Sequence, residues 1–309
     1  MTTANTTISI AGARVRRQGL AFGLLATVIW GGFLVVSRYG VGAGLRVTDL
    51  AFLRYLTAGL ILLPWLLRHS PYRLAGVGWR KGASLAFLAG PLFIIVGASG
   101  YRFAPLAHAA VIQLGMLTLV SMLFAALVLG ERPTLKRLAG LAIVVVGLAV
   151  TAGPGLLRGS STAWIGDLLF ALAGSMWALF SVLQLRWGVA PLAATAVVSV
   201  VSAVVYAPVY LATEGLRIFS TISPTVLLVE IVAQGVLSGV VALFAFSRAV
   251  QDLGASRAAL FPALSPGVAI LLGIPVTGEV PSLIQLTGLA ILTMGLVVAV
   301  RGNQAARSD

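Results

Sequence analysis

Apolar runs of about twenty residues recur along the whole chain, separated by short turns rich in glycine, proline and basic residues. None of them alternates with the period of two expected of a barrel strand. A helix of that length crosses a hydrocarbon core of about 30 Å. The pattern predicts spans at roughly 19–37, 48–67, 82–101, 106–129, 134–153, 164–186, 191–212, 225–248, 256–277 and 282–300. These form two blocks of five, joined by a Gly/Ser-rich connector from Gly153-Pro154-Gly155 to Ser160-Ser161. The loops are too short to hold a separate soluble domain.

The two blocks are copies. A shift of 148 residues carries Gly130-Glu131-Arg132-Pro133 onto Gly278-Glu279-Val280-Pro281, and 13 of the 23 positions from Val128 to Val150 are then identical. Leu138 meets Leu286, Gly140 meets Gly288 and Gly147 meets Gly295. Five spans per copy is an odd number, so the second copy must sit upside down relative to the first. The duplicated turn fits that arrangement. Its first copy keeps Arg132, Lys136 and Arg137, whereas the second has lost all three charges. Glu131 and Glu279 are read as structural anchors at helix starts, with Pro133 and Pro281 beside them, because a carboxylate there meets unpaired backbone N–H groups.

Composition narrows the class. The chain is 59% hydrophobic and 9% charged, far from the roughly 25% charged residues of a soluble domain. Its net charge of +13 is read by position. Fifteen Lys and Arg residues fall on the face shared by both termini: Arg14, Arg16, Arg17, Arg68, Arg73, Arg80, Lys81, Arg132, Lys136, Arg137, Arg186, Arg248, Arg257, Arg301 and Arg307. Five (Arg38, Arg46, Arg102, Arg158 and Arg217) fall on the other, which predicts cytoplasmic termini. The basic start mimics a signal peptide, but the first apolar run is read as a retained span because its Trp30 is echoed in the second copy. With no cysteine, disulfides and thiolate chemistry are excluded.

Candidate chemistry lies at mid-span. Trp30 and Trp177 occupy equivalent depths of the first and sixth spans, whereas Trp65, Trp79, Trp164 and Trp187 fit the interfacial belt. Gln113 and Gln234 are the mid-depth amides, each either a cavity group or an interhelical hydrogen bond; Ser99, Ser121, Ser175, Ser181, Ser238 and Ser265 are scattered about, and a serine can also bond back to its own helix. His108 opens the fourth span and Tyr101 ends the third. Arg54 and Glu230 lie near the external side, where a charge is either functional or snorkels outward, and no obvious cation stands at cavity depth. Gly90-Pro91, Pro262, Pro266-Gly267 and Pro275 are helix breakers, so Pro91, Pro262 and Pro266 are hinge candidates. Gly19-x-x-x-Gly23 and Gly235-x-x-x-Gly239 permit close helix contact.

Two five-span copies, each with a Trp in its first helix and a Gly-Glu-x-Pro turn before its last, resemble the EamA-type permeases of the drug/metabolite transporter superfamily. Within it the chain looks most like the bacterial exporters of aromatic amino acids (YddG-type). The resemblance implies an all-α membrane protein of ten transmembrane helices in two inverted five-helix repeats, located in the bacterial inner membrane. It divides the chain into a cytoplasmic tail (1–18), a first repeat (19–153), a connector (154–163), a second repeat (164–301) and a cytoplasmic tail (302–309). It implies alternating access through a central cavity lined by the first, third, fourth, sixth, eighth and ninth helices. That makes Trp30, Tyr101, His108, Gln113, Trp177, Gln234 and Phe244 the substrate-binding candidates. The expected cargo is small amphipathic metabolites, aromatic and other large neutral amino acids first; nucleobases, nucleotide sugars, vitamins or cationic drugs are the alternative. No cofactor, metal, catalytic residue or nucleic-acid partner is expected. The partners are the bilayer and a small-molecule substrate, and the expected state is a monomer, with a dimer as the alternative. An enzyme would need a nucleophile, acid–base pair or metal cluster, and the two histidines, His69 and His108, belong to none.

Overall fold

The structure is a computed structural model that describes residues 2–104, 106–130, 134–152, 161–277 and 282–301. Glu131, Pro133, Glu279 and Pro281 therefore lie outside the described residues. Among those described, every regular element is helical. The first half runs α1 (Thr2–Gly42), α2 (Val47–Arg68), α3 (Trp79–Ala89), α4 (Pro91–Gly100), α5 (Leu106–Leu129) and α6 (Leu135–Ala152). The second runs α7 (Ala163–Arg186), α8 (Pro191–Thr213), α9 (Pro224–Glu230), a π-helical segment (Ile231–Ala242), α10 (Leu243–Leu253), α11 (Ala255–Ala258), α12 (Ser265–Thr277) and α13 (Leu283–Arg301). Seven stretches among the described residues are long and apolar enough to cross a membrane, the longest being Pro224–Leu253. The expected spans at 134–153, 256–277 and 282–300 are helical as α6, as α11 with α12, and as α13.

Three spans are not continuous α-helices, two of them interrupted at the expected helix breakers. The third starts at Trp79 and breaks at Gly90, whose φ of −91° and ψ of −158° are extended. Pro91 then starts α4 at a position where its missing N–H costs nothing. The carbonyl of Ala89, freed by the break, accepts a hydrogen bond from the Tyr55 hydroxyl at 2.9 Å. The ninth span divides at a 3₁₀ turn, Pro262–Leu264, between α11 and α12, and Pro266 falls in the first turn of α12. The eighth runs unbroken but winds as a π-helix through its middle. Such i→i+5 winding is rare and concentrates at functional sites.

Exchanging the two halves matches their principal packing partners. α1 lies against the eighth span and α12, just as α7 lies against α3, α4 and α5. α2 packs on α8, and α6 packs on α13. The last two pairs run antiparallel. A Cβ on Gly140 would meet Ala299, one on Gly147 would meet Leu292, and one on Gly295 would meet Val144. Gly59 of α2 abuts Ala203, while Asp49 accepts a hydrogen bond from Tyr210 at 2.5 Å. The repeated glycines thus set the approach of the two backbones, as small residues do between membrane helices. Both Gly-x-x-x-Gly pairs are used in this way: Gly19 abuts Leu253 and Gly23 the Phe261 ring, and Gly235 and Gly239 abut Thr57 and Ala58 of α2.

One end of the α2–α8 pair is tied by charge. Asp49 is fully buried and accepts from the Arg46 backbone N–H at 2.7 Å and from its guanidinium at 3.0 Å. Arg46 also pairs with Glu214 beyond the end of α8. The Asp49 hydrogen bond holds the Arg46 guanidinium above its usual pKa, so it stays charged at every pH at which the protein is folded.

Candidate functional site

The antiparallel contact of α1 with the eighth span builds the centre of the molecule. On α1, Trp30, Phe33, Ser37 and Gly40 recur at three- or four-residue spacing and share one face. On the partner, Glu230, Gln234, Ser238, Ala242 and Phe246 recur every four residues, and all five are buried. The two rows meet in register. The Phe246 ring lies 5.4 Å from Trp30, the Gln234 amide donates to Ser37 Oγ at 2.9 Å, and the Glu230 carboxylate rests on Gly40, where no Cβ would fit.

Trp30 and Trp177 meet each other. Their ring centroids are 5.5 Å apart and nearly perpendicular, the edge-to-face geometry that aromatic quadrupoles favour. Phe93 of α4 lies 4.8 Å from Trp177, and Phe180 and Phe246 lie 5.5 and 5.7 Å from it. Five rings from four spans therefore converge between the first helices of the two halves, whose tryptophan side chains meet. Trp177 is 5% exposed, and its indole N–H has no acceptor among the described residues. A buried indole donor ordinarily finds one.

The other expected site residues distribute around this cluster. Gln234 joins the α1 contact and also donates to Glu230 Oε2 at 3.0 Å. Gln113 is half-buried on α5, its Oε1 facing Gly97 of α4 and its backbone carbonyl against Gly174 of α7. At the equivalent place in the other half, Thr27 donates to the Phe261 carbonyl at 2.9 Å. Phe244 packs edge-on against Phe22, away from the two tryptophans. His108 bonds Asp167 at 2.8 Å within an alanine-rich cluster at the start of α5. Tyr101 is 48% exposed, its ring 5.1 Å from Phe170. Neither His108 nor Tyr101 touches the five rings.

Two expectations are corrected. Arg54 and Glu230 do not snorkel; they are 5% and 0% exposed. Helical rotation is the reason: both side chains face the α1–α2–π contact, from which a long side chain cannot reach the outside by extending along its own helix. Arg54 donates to Ser238 Oγ at 2.8 Å, and its guanidinium lies 5.6 Å from the Phe33 ring, one turn from Trp30. A cation is therefore present at the depth where none was expected. Phe93, Phe180, Phe246 and Ser37 were not singled out in the sequence. Phe93 and Phe246 had one available signal, since each is an aromatic in the third span of its own copy, facing the tryptophan of the other.

Among the described residues no group of His, Asp and Glu is arranged to hold a metal ion. The arrangement offers apolar and π surfaces, two amides, one buried cation and one buried carboxyl group, which suit the binding of a small molecule.

A solved crystal structure matches over 92% of this chain and 97% of its own length with a TM-score of 0.71, at 20% identity, and so shares the fold. No curated protein sequence matches the chain. The EamA-like transporter family model matches it twice, over residues 17–153 and 164–301. Those two matches, the described helices and the multi-pass apolar pattern show that the chain belongs to the EamA-like transporter family, membrane transporters of the drug/metabolite type.

Proposed function

We propose that this protein is a secondary transporter of the bacterial inner membrane that exports aromatic and other large neutral amino acids by alternating access. Ten spans in two inverted repeats would carry it, with both termini in the cytoplasm. The observation that carries the reading is the convergence of Trp30 and Trp177, from equivalent helices of the two copies, into one five-ring cluster. Such a surface takes an aromatic side chain by apolar burial and edge-to-face contact. The orphan Trp177 N–H adds a donor that a substrate can satisfy. Antiparallel packing of α2 on α8 and of α6 on α13 supports the inversion, because these are repeat-equivalent helices. The breaks at Gly90 and Pro262, and the π-helical segment opposite α1, supply places where the helices bend.

Cargo is tested in proteoliposomes preloaded with labelled phenylalanine, tryptophan or threonine. Accelerated efflux of the aromatic pair is expected, and Trp30→Ala or Trp177→Ala should slow it about tenfold, equivalent to roughly 1.4 kcal/mol. Efflux no faster than from empty liposomes for all three amino acids removes the amino-acid reading. Of the other cargoes, cationic drugs fit least well: the buried carboxylate on the facing row, Glu230, lies at the end of that row away from the rings, bonded to Gln234 and pressed on Gly40.

A further inference from the structure

Arg54 is a buried charge with no counter-ion among the described residues. Its guanidinium carries five N–H donors and remains protonated in any protein environment. Ser238 accepts at its hydroxyl (2.8 Å) and, weakly, at its backbone carbonyl (3.5 Å). The Nε–H is buried without an acceptor among the described residues. The Phe33 and Tyr55 rings lie 5.6 and 5.8 Å from the guanidinium carbon and give it cation–π contact. No Asp or Glu among the described residues lies within ion-pair distance of Arg54. The nearest buried acid on the facing row, Glu230, is two positions up that row, beyond Gln234, and is engaged by it.

A cation removed from water without a counter-ion is costly in a membrane protein, and such residues usually face a partner or a water-filled path. The position of Arg54 names that partner. Ser238 belongs to the row that ends at Phe246, and Phe33 belongs to the row that contains Trp30. Phe33 follows Trp30 by three residues, roughly 4.5 Å along the axis at 1.5 Å per residue. A positive fork thus stands between the same helices, about one turn from Trp30 along α1 and about two turns from Phe246 along the facing row.

We infer that Arg54 is the anion subsite of this transporter, binding the carboxylate of a substrate whose apolar body lies on the Trp30–Trp177 cluster. The planar guanidinium accommodates a carboxylate through two parallel N–H···O bonds, which an ammonium cannot reproduce. Ser238 and the two rings hold the fork in place. The inference rests on the proposed aromatic cargo for the body of the substrate, but its chemical content is narrower: the ligand carries a carboxylate next to an apolar group.

Paired ligands that differ only at the carboxylate test it: phenylalanine against phenylalaninamide, and 3-phenylpropionate against 3-phenylpropanamide. Thermal shift and proteoliposome counterflow are read for the wild type, Arg54→Gln and Arg54→Lys, each first shown to be monodisperse. In the wild type each carboxylate should half-saturate at a concentration at least tenfold below that of its amide. Arg54→Gln should abolish that ratio while amide binding stays within about twofold, and Arg54→Lys should give an intermediate ratio. Should neither variant fold, the wild-type ratio and Ser238→Ala, which frees the fork without removing it, carry the test; a wild-type ratio near one overturns the inference. Equal loss of acid and amide in a folded Arg54→Gln protein also overturns it, because it marks a purely structural arginine. Tight, Arg54-dependent binding of 3-phenylpropionate with no binding of phenylalanine would retain the anion subsite and sink the amino-acid cargo.

Discussion

Gly147 shows what a single residue decides in this molecule. A Cβ added there would stand 2.6 Å from the backbone nitrogen of Leu292, so the clash is with backbone, which a side-chain rotation cannot relieve. Gly147→Leu should therefore force α6 and α13 apart and lower the melting temperature of the detergent-solubilised protein, by an overpacking cost of about 1–3 kcal/mol. Leu127→Ala, on a side chain 72% exposed, should leave it nearly unchanged. An unaltered melting temperature in the glycine variant would show that this crossing does not hold the halves together. The glycine spacing was legible in the sequence as a repeat, and the structure supplies its physical cause. Arg54 was not legible in the same way. Its depth could be counted along the chain, but its rotation toward Ser238 depends on which helix lies opposite, and no local pattern in α2 encodes that.

At the scale of elements, interruptions divide into those the sequence announces and those it hides. Gly90-Pro91 and Pro262 announce theirs, because proline cannot donate a helix hydrogen bond; before Pro91 the backbone also leaves the helical region, at Gly90, whereas Phe261 before Pro262 keeps helical angles. The π-helical segment has no such marker: it contains no proline, and its two glycines, Gln234 and Ser238 sit among apolar residues that read as an ordinary span. The break at Gly90 is also supported from outside, by the Tyr55 hydroxyl on the Ala89 carbonyl. Tyr55→Phe removes that donor, keeps the ring, and leaves a buried carbonyl unpaired, at a cost of about 1–3 kcal/mol. The expected result is a lower melting temperature together with a changed transport rate, if the broken span is one of the moving parts. A rate unchanged while stability falls would assign the break to architecture alone.

At the scale of the molecule, the duplication and the odd number of expected spans per copy make a claim about direction that labelling can decide. Leu135 and Leu283 are equivalent positions at the starts of α6 and α13, and they are 83% and 80% exposed. The chain contains no cysteine, so a single thiol introduced at either place is the only one to react. With the positive-rich face in the cytoplasm, Leu135→Cys lies beside Lys136 and Arg137 on the inner side. Leu283→Cys, whose neighbours Ile284 and Gln285 carry no charge, lies on the outer side. In intact cells a membrane-impermeant maleimide should modify Leu283→Cys within minutes and spare Leu135→Cys until the membrane is permeabilised. Arg217→Cys, in the short turn between α8 and α9, should label as Leu283→Cys does. Equal labelling of Leu135→Cys and Leu283→Cys from one side would mean that the copies are parallel, and the antiparallel contacts of Gly140, Gly147 and Gly295 would then need another explanation. Opposite labelling places the five-ring cluster between two halves that face opposite ways, the geometry in which rocking one against the other exposes a single site alternately to each side.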